Sequence, residues 1–188
     1  MKWKKVVMWA SVLMLAGGTV IFADEAVQSV RVYINGSESG EDGVVIDGKA
    51  YLPLREVADS LGAQVTWNNA GKKATIIKPN VHLVLFKDNA IFGKVSKGNK
   101  YTFSVFAQVD NLKTSISAIK ISIVDPRGKE KTIQSQTQEI TKDNFWYRTE
   151  DVQYSFDYAG KYAVRFSLKV NPDDEWTTVS ELLISSES

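Results

Sequence analysis

The chain contains no cysteine among its 188 residues. That absence excludes disulfides, thiolate zinc sites, cysteine nucleophiles and acylation at a cysteine. Histidine is nearly as scarce, with His82 alone. One imidazole and no thiolate do not make a tight transition-metal site. No nucleophile-elbow motif surrounds any serine, so serine hydrolysis lacks both its base and its turn. His82 opens a strand pattern and reads as a polar strand-end residue. No glycine-rich loop precedes a helix pattern, which removes phosphate cradling. Excess positive charge is also missing: the formal net charge is +1. A nucleic-acid partner needs a basic footprint, and none is present.

What remains is ordinary globular material, 44% hydrophobic and 24% charged, long enough for one large or two small domains. Residues 1–23 read as a signal peptide: Lys2, Lys4 and Lys5 lead, and an apolar run starts at Val6. Gly17-Gly18-Thr19 interrupts the run, and Ala23 closes a plausible cleavage site. If retained, the segment is long enough to be a membrane anchor, and only then is a membrane a partner. Residues 24–29 form a short leader. Removing 1–23 takes three lysines and no acid, leaving 20 basic and 22 acidic residues, net −2.

The chain is organised around Tyr51–Lys78. Pro53 suits the first turn of a helix. Leu54, Val57, Ala58 and Leu61 make one apolar helix stripe, and Gly62 sits where a helix end favours a left-handed residue. Ala63, Val65 and Trp67 then alternate with polar neighbours as a strand, Asn68–Gly71 turns, and Ala74–Ile77 returns. Trp67 is assigned to the core of this unit. Upstream, Val30–Ile34 and Val44–Ile46 read as strands, with Asn35-Gly36 and Asp47-Gly48 as tight turns.

The hydrophobic-Pro-Leu-Arg helix, Leu61-Gly62-Ala63, the Val65-Thr66-Trp67 strand and the lysine-rich hairpin at 72–73 resemble the copper amine oxidase N-terminal-like domain. The resemblance covers about residues 30–78. It implies a small antiparallel sheet on one helix, in secreted proteins of Gram-positive, spore-forming bacteria. It implies no activity. The copper-binding histidines and the Asn-Tyr-Asp/Glu motif that yields the quinone cofactor belong to a separate, larger domain of the oxidases, and this sequence has neither. No cofactor and no metal site is expected.

Pro79-Asn80 reads as a linker, and 81–188 as strand and turn throughout. Candidate strands are His82–Phe86, Tyr101–Val109, Ala118–Val124, Lys131–Gln138, Tyr147–Phe156, Lys161–Val170 and Thr177–Ile184. Seven strands in about a hundred residues predict a two-sheet sandwich. Asp157–Tyr162 looks like the turn into the penultimate strand of immunoglobulin-like domains, where a tyrosine hydroxyl caps the backbone. The predicted fold is therefore α+β, a small antiparallel sheet with one helix, followed by an all-β immunoglobulin-like sandwich.

The acids sit mostly in turns, where solvation and backbone capping explain them. Asp173-Asp174-Glu175 lacks the alternate-residue spacing of a calcium loop. The candidate binding surface is Phe145, Trp146, Tyr147 and Trp176, aromatics at loop–strand junctions that serve as stacking platforms or protein anchors. The competing reading places at least two of them inward on alternating strand positions. Together these features predict a secreted, non-enzymatic, cell-surface or cell-wall-associated binding or adhesion protein. The alternative is a protein-interaction module, an inhibitor or accessory subunit of an exoprotein. The expected partners are cell-wall polysaccharide or another secreted or surface protein. No Leu-Pro-x-Thr-Gly signal is present, so covalent wall attachment is not expected.

Overall fold

The computed structural model describes residues 27–188. The predicted signal peptide and the first half of the leader lie outside the described residues. The N-terminal unit holds β1 (Gln28–Val30), β2 (Tyr33–Ile34), β3 (Ser37–Glu38), β4 (Gly43–Ile46), β5 (Lys49–Tyr51), α1 (Leu54–Ser60), β6 (Gln64–Asn68) and β7 (Lys73–Ile77). It contains three small antiparallel pieces rather than one sheet: β1-β4-β5, the hairpin β2-β3 and the hairpin β6-β7. The run Val30–Ile34, predicted as one strand, divides because Val30 pairs with Gly43 whereas Tyr33 pairs with Glu38. Asn35-Gly36 and Asp47-Gly48 take positive φ at both positions, as two-residue hairpin turns require.

Helix α1 is seven residues long with Pro53 at its N-cap. It ends in a Schellman motif: Ala63 N–H donates to Ala58 O at 2.8 Å and Gly62 N–H to Asp59 O at 3.0 Å. Gly62 has φ +66°, and a Cβ there would lie 2.9 Å from Val179 O on the C-terminal strand. Glycine is thus required twice, for its backbone conformation and for the close approach of the helix end to the sandwich. The predicted apolar stripe is only half used. Ala58 is buried, but Leu54 and Leu61 stay about 40% exposed, because so short a helix rests on the sandwich by one corner. On its other side Glu56 Oε1 accepts from Gly40 N–H and Ser39 Oγ, tying the 37–43 loop to the helix.

The remainder comprises β8 (Asn80–Lys87), β9 (Ala90–Ile91), β10 (Lys94–Ser96), β11 (Lys100–Asp110), β12 (Ile116–Val124), β13 (Glu130–Ile140), β14 (Phe145–Arg148), β15 (Val152–Ser155), β16 (Gly160–Lys169) and β17 (Thr177–Glu187). One sheet has the order β10-β17-β16-β12-β13; the other is β14-β11-β8-β9, with β15 also on β11. Their inner faces share one core. Leu85, Phe103, Val105, Ala107 and Val109 come from one sheet, and Ile119, Ile121, Ile123, Val164, Phe166, Leu168 and Ile184 from the other. Phe156 seals one end, with Tyr162 and Tyr154 edge-on at 4.9 and 5.0 Å. After β8 and β9 the chain changes sheets, so that β10 runs parallel to β17.

The strand predicted at Tyr147–Phe156 is two. Arg148 faces Phe106 and Val152 faces Phe103, so four steps on one side meet three on the other. This one-residue excess is a bulge. Thr149 fills it: its N–H donates to Val105 O and its Oγ1 accepts from Val105 N–H, both at 3.0 Å. The strands β9 and β10 are additions to the predicted set.

Pairings of Asp110 with Asn80, Val109 with Phe145, Ile116 with Ile140, and Leu168 with Thr177 bring the loops β11–β12, β13–β14 and β16–β17 to one end of the sandwich. Strand β8 starts at that end, directly after the buried Pro79, so the N-terminal unit is attached there.

Candidate binding surfaces

The four aromatics singled out in the sequence do not form one surface. In β14, Phe145 and Tyr147 turn inward against the core, whereas Trp146 points out and is 78% exposed. Burial pushes the Tyr147 phenol up from its ordinary pKa. Trp146 pairs with Gln108, which pairs on its other side with His82. All three lie on the outer face of the β14-β11-β8 sheet. In the next row Arg148 folds across this face, donating to Ser104 Oγ at 3.1 Å and placing its guanidinium 5.6 Å from the centre of the Phe86 ring. The face is thus aromatic and partly apolar, with the Arg148 cation across it and Trp146 at its rim.

Trp176 belongs to the opposite side. It precedes β17 and lies beside Lys120 and Lys169, each with Nζ 5.2 Å from the ring centre. Lys120 sits between the buried Ile119 and Ile121, so this is the outer face of the other sheet. Asp174, beside it, is a turn residue: its carboxylate accepts from Asn171 N–H at 2.8 Å and from the Asn171 amide. That engagement accounts for one acid of the 173–175 cluster. Among the described residues no group of three His, Cys, Asp or Glu converges as a metal site would need.

Trp176 instead borders a cleft of about 580 Å³ between the sandwich and the N-terminal unit. The facing wall carries Trp67, Gln64, Arg55 and Asp59. The assignment of Trp67 to the core is overturned, for the ring is 55% exposed. Among the described residues, strands β6 and β7 form a hairpin with no second layer over that side, and Trp67 Nε1 donates only to Asn69 Oδ1. Gln64 takes the buried position instead, 5% exposed, yet its Oε1 has no hydrogen-bond partner among the described residues. Burial raises the Asp59 pKa above its ordinary value; Arg55 opposes this, and Glu56 and Glu175 reinforce it. Nothing in the sequence signalled Gln64 or Asp59, since the cleft exists only once the two units are joined.

Residues 33–141 match the family model of the copper amine oxidase N-terminal domain, more than half of the chain. The chain belongs to that family. The match runs past residue 78, where the resemblance read from the sequence ended, and through β8–β13 of the sandwich. It is to the N-terminal domain of the oxidases and not to their catalytic domain. A protein of Brevibacillus choshinensis named "Protease inhibitor" is 27% identical over 184 residues, covering 90% of this chain and 55% of that protein. The chain therefore spans about half the length of that relative. A 51-residue stretch is 45% identical to large ribosomal subunit protein uL13 of Halobacterium salinarum, covering 23% of this chain and 34% of that protein. Among solved structures, the CARDB domain of a Pyrococcus furiosus protein, in complex with di-metal ions, covers 58% of this chain and 90% of its own. At 13% identity and a TM-score of 0.32 that likeness carries no weight for fold or function.

Proposed function

We propose that this member of the copper amine oxidase N-terminal domain family is a secreted, non-catalytic module that binds another protein, and that its partner is an extracellular protease. The observation that carries the reading is the alignment, across both units, with a relative named as a protease inhibitor. The fold supports it. The strand order, the parallel β10-β17 pair, and the Tyr162 hydroxyl that accepts from Tyr158 N–H at 3.0 Å suit an immunoglobulin-like sandwich. Such sandwiches are rigid carriers of recognition surfaces rather than of chemistry.

The outer face of β14-β11-β8 is the contact surface of this proposal. Exposed tryptophan with arginine beside it is the composition of interface hot spots. Trp146 offers a large rigid ring at little entropic cost, and Arg148 is already held in place by Ser104.

The test is a titration of the full chain against trypsin-type, subtilisin-type and thermolysin-type proteases, reading residual activity against molar ratio. Stoichiometric loss of activity of at least one enzyme is expected, weakened roughly tenfold or more by Trp146→Ala. If no enzyme is inhibited and none co-sediments with the chain, the reading fails.

A further inference from the structure

The cleft between the two units is separate from the β14-β11-β8 face, and it has the makings of a small-ligand site. We infer that it binds a neutral saccharide, with the ring of one sugar seated between Trp67 and Trp176 and a sugar hydroxyl donating to Gln64 Oε1.

Three observations carry this. The first is the orphan acceptor. Gln64 is 95% buried by area, borders the cleft, and leaves Oε1 without a partner. A buried carbonyl oxygen without a donor is costly, so a ligand that brings one gains what the fold lacks. The terminal torsion of a glutamine is soft, so the enclosed Oε1 reaches a ligand only through a turn about it. The oxygen only accepts, so the ligand must donate, and a hydroxyl does.

The second is the pair of aromatic walls. Trp67 comes from the N-terminal unit and Trp176 from the sandwich, and both border the same space. Indole faces accept the C–H faces of sugar rings while hydroxyls at the rim find polar partners. Arg55, Asp59 and Glu175 also border the cleft and offer such partners. The volume of about 580 Å³ lies within the range of small-molecule sites.

The third decides between a neutral ligand and a cation. Tryptophan next to carboxylates is also the recipe for an ammonium ligand. Here, however, the Lys120 and Lys169 ammonium groups already lie 5.2 Å from the centre of the Trp176 ring. Lys120 is itself paired with Glu130 at 3.0 Å, but Lys169 meets only the Pro172 carbonyl among the described residues and repels a further cation, and Asp174 is occupied by Asn171. A neutral polyol has no such conflict.

Because one wall belongs to each unit, the site exists only while Gly62 holds the helix end against Val179. Sugar binding therefore clamps the two units together.

The probes are the N-acetylglucosamine trimer and cellotriose, titrated into the full chain and followed by tryptophan fluorescence and by saturation-transfer NMR. A saturable response to at least one probe is expected. Trp67→Ala should weaken it roughly tenfold or more, and Gln64→Leu about three- to tenfold. Gln64→Leu removes an oxygen with no partner in the fold, so its melting temperature should be no lower than that of the parent. Loss of binding with stability intact marks a ligand-facing role. Trp146→Ala, on the other sheet, should leave the sugar response unchanged while weakening protease inhibition, so the two proposals fail separately. No saturable response to either probe, a response that survives both cleft substitutions, or tighter binding of a lysine-rich peptide than of either sugar overturns the inference.

Discussion

The two units of this chain use similar strand patterns and reach opposite outcomes. In the sandwich, alternation places every second residue between two sheets, and Val105, Ile121, Val164 and Phe166 are fully buried. In the N-terminal unit the same alternation leaves Tyr33, Tyr51, Trp67 and Ile76 more than half exposed. Among the described residues its buried apolar side chains are Ala58 and Ala63; all others in the core belong to the sandwich. The difference lies in layers. A strand buries its apolar face only against a second layer. Three small sheets and a seven-residue helix do not supply one. The N-terminal unit is therefore held less by a core of its own than by its hairpin turns and its seat on β17.

The largest test of that contrast is a pair of truncations. Phe156→Ala removes a ring with 0% exposure at the centre of an aromatic cluster. It should cost about 3–5 kcal/mol in denaturant unfolding. Ile76→Ala, at 55% exposure, should cost under about 1 kcal/mol. Comparable losses at both sites would mean that the N-terminal unit has a core after all.

Next in size is Gly62→Ala. A left-handed non-glycine residue and a Cβ 2.9 Å from the Val179 carbonyl oxygen are forced together. The expected cost is about 1–3 kcal/mol, and it should fall on the junction. Hydrogen exchange in α1 and β6 should speed up while β11, β12 and β16 keep their protection. Uniform acceleration would show that the two units open as one.

These contrasts also explain what the sequence disclosed. The strands of the sandwich were legible because long runs such as Tyr101–Val109 alternate cleanly and are separated by turns such as Asp125-Pro126 and Asn171-Pro172. The Schellman end at Gly62 was legible because a left-handed residue after an apolar helix pattern has few alternatives. The bulge at Thr149 was not, because it arises from a mismatch in length between β11 and its partner, which no local pattern reveals. Trp67 was misplaced for a related reason: periodicity gives the phase of a strand but not what lies over its face. The aromatics at 145–147 show the same limit. Their alternation was visible, but that Trp146 and Trp176 end on opposite outer faces follows only from sheet order. The cleft was invisible throughout, since its walls are about a hundred residues apart.

Tyr162→Phe isolates one polar contact within the sandwich. It deletes the hydroxyl that accepts from Tyr158 N–H at 3.0 Å and leaves that ring buried. A loss of about 0.5–1.5 kcal/mol is expected, with rate and stability of the N-terminal unit unaffected. A neutral result would mean that water or a neighbouring group satisfies the turn equally well.

The smallest effect separates the units by sign. Asp59, on the N-terminal unit, is raised by burial, so the folded state holds its proton more tightly than the unfolded chain does. Its contribution to stability is therefore present at low pH and is lost as pH rises from the ordinary aspartate range through the raised folded value. Glu130, in the sandwich, is lowered beside Ser122 Oγ and the Lys120 ammonium. Only the lysine meets it at hydrogen-bond distance, 3.0 Å, so the ion pair carries most of that effect. Its contribution is present above the ordinary glutamate range and is lost as pH falls through the lowered folded value. Mild acidification should thus favour closure of α1 onto β17 while slightly loosening the β12–β13 edge. Hydrogen exchange at two acidic pH values, corrected for intrinsic rates, reads both. Asp59→Asn should flatten the first response and leave the second, and Glu130→Gln the reverse. If both regions shift in the same direction, the junction is not under the control of Asp59, and the contact of Gly62 with Val179 alone sets its stability.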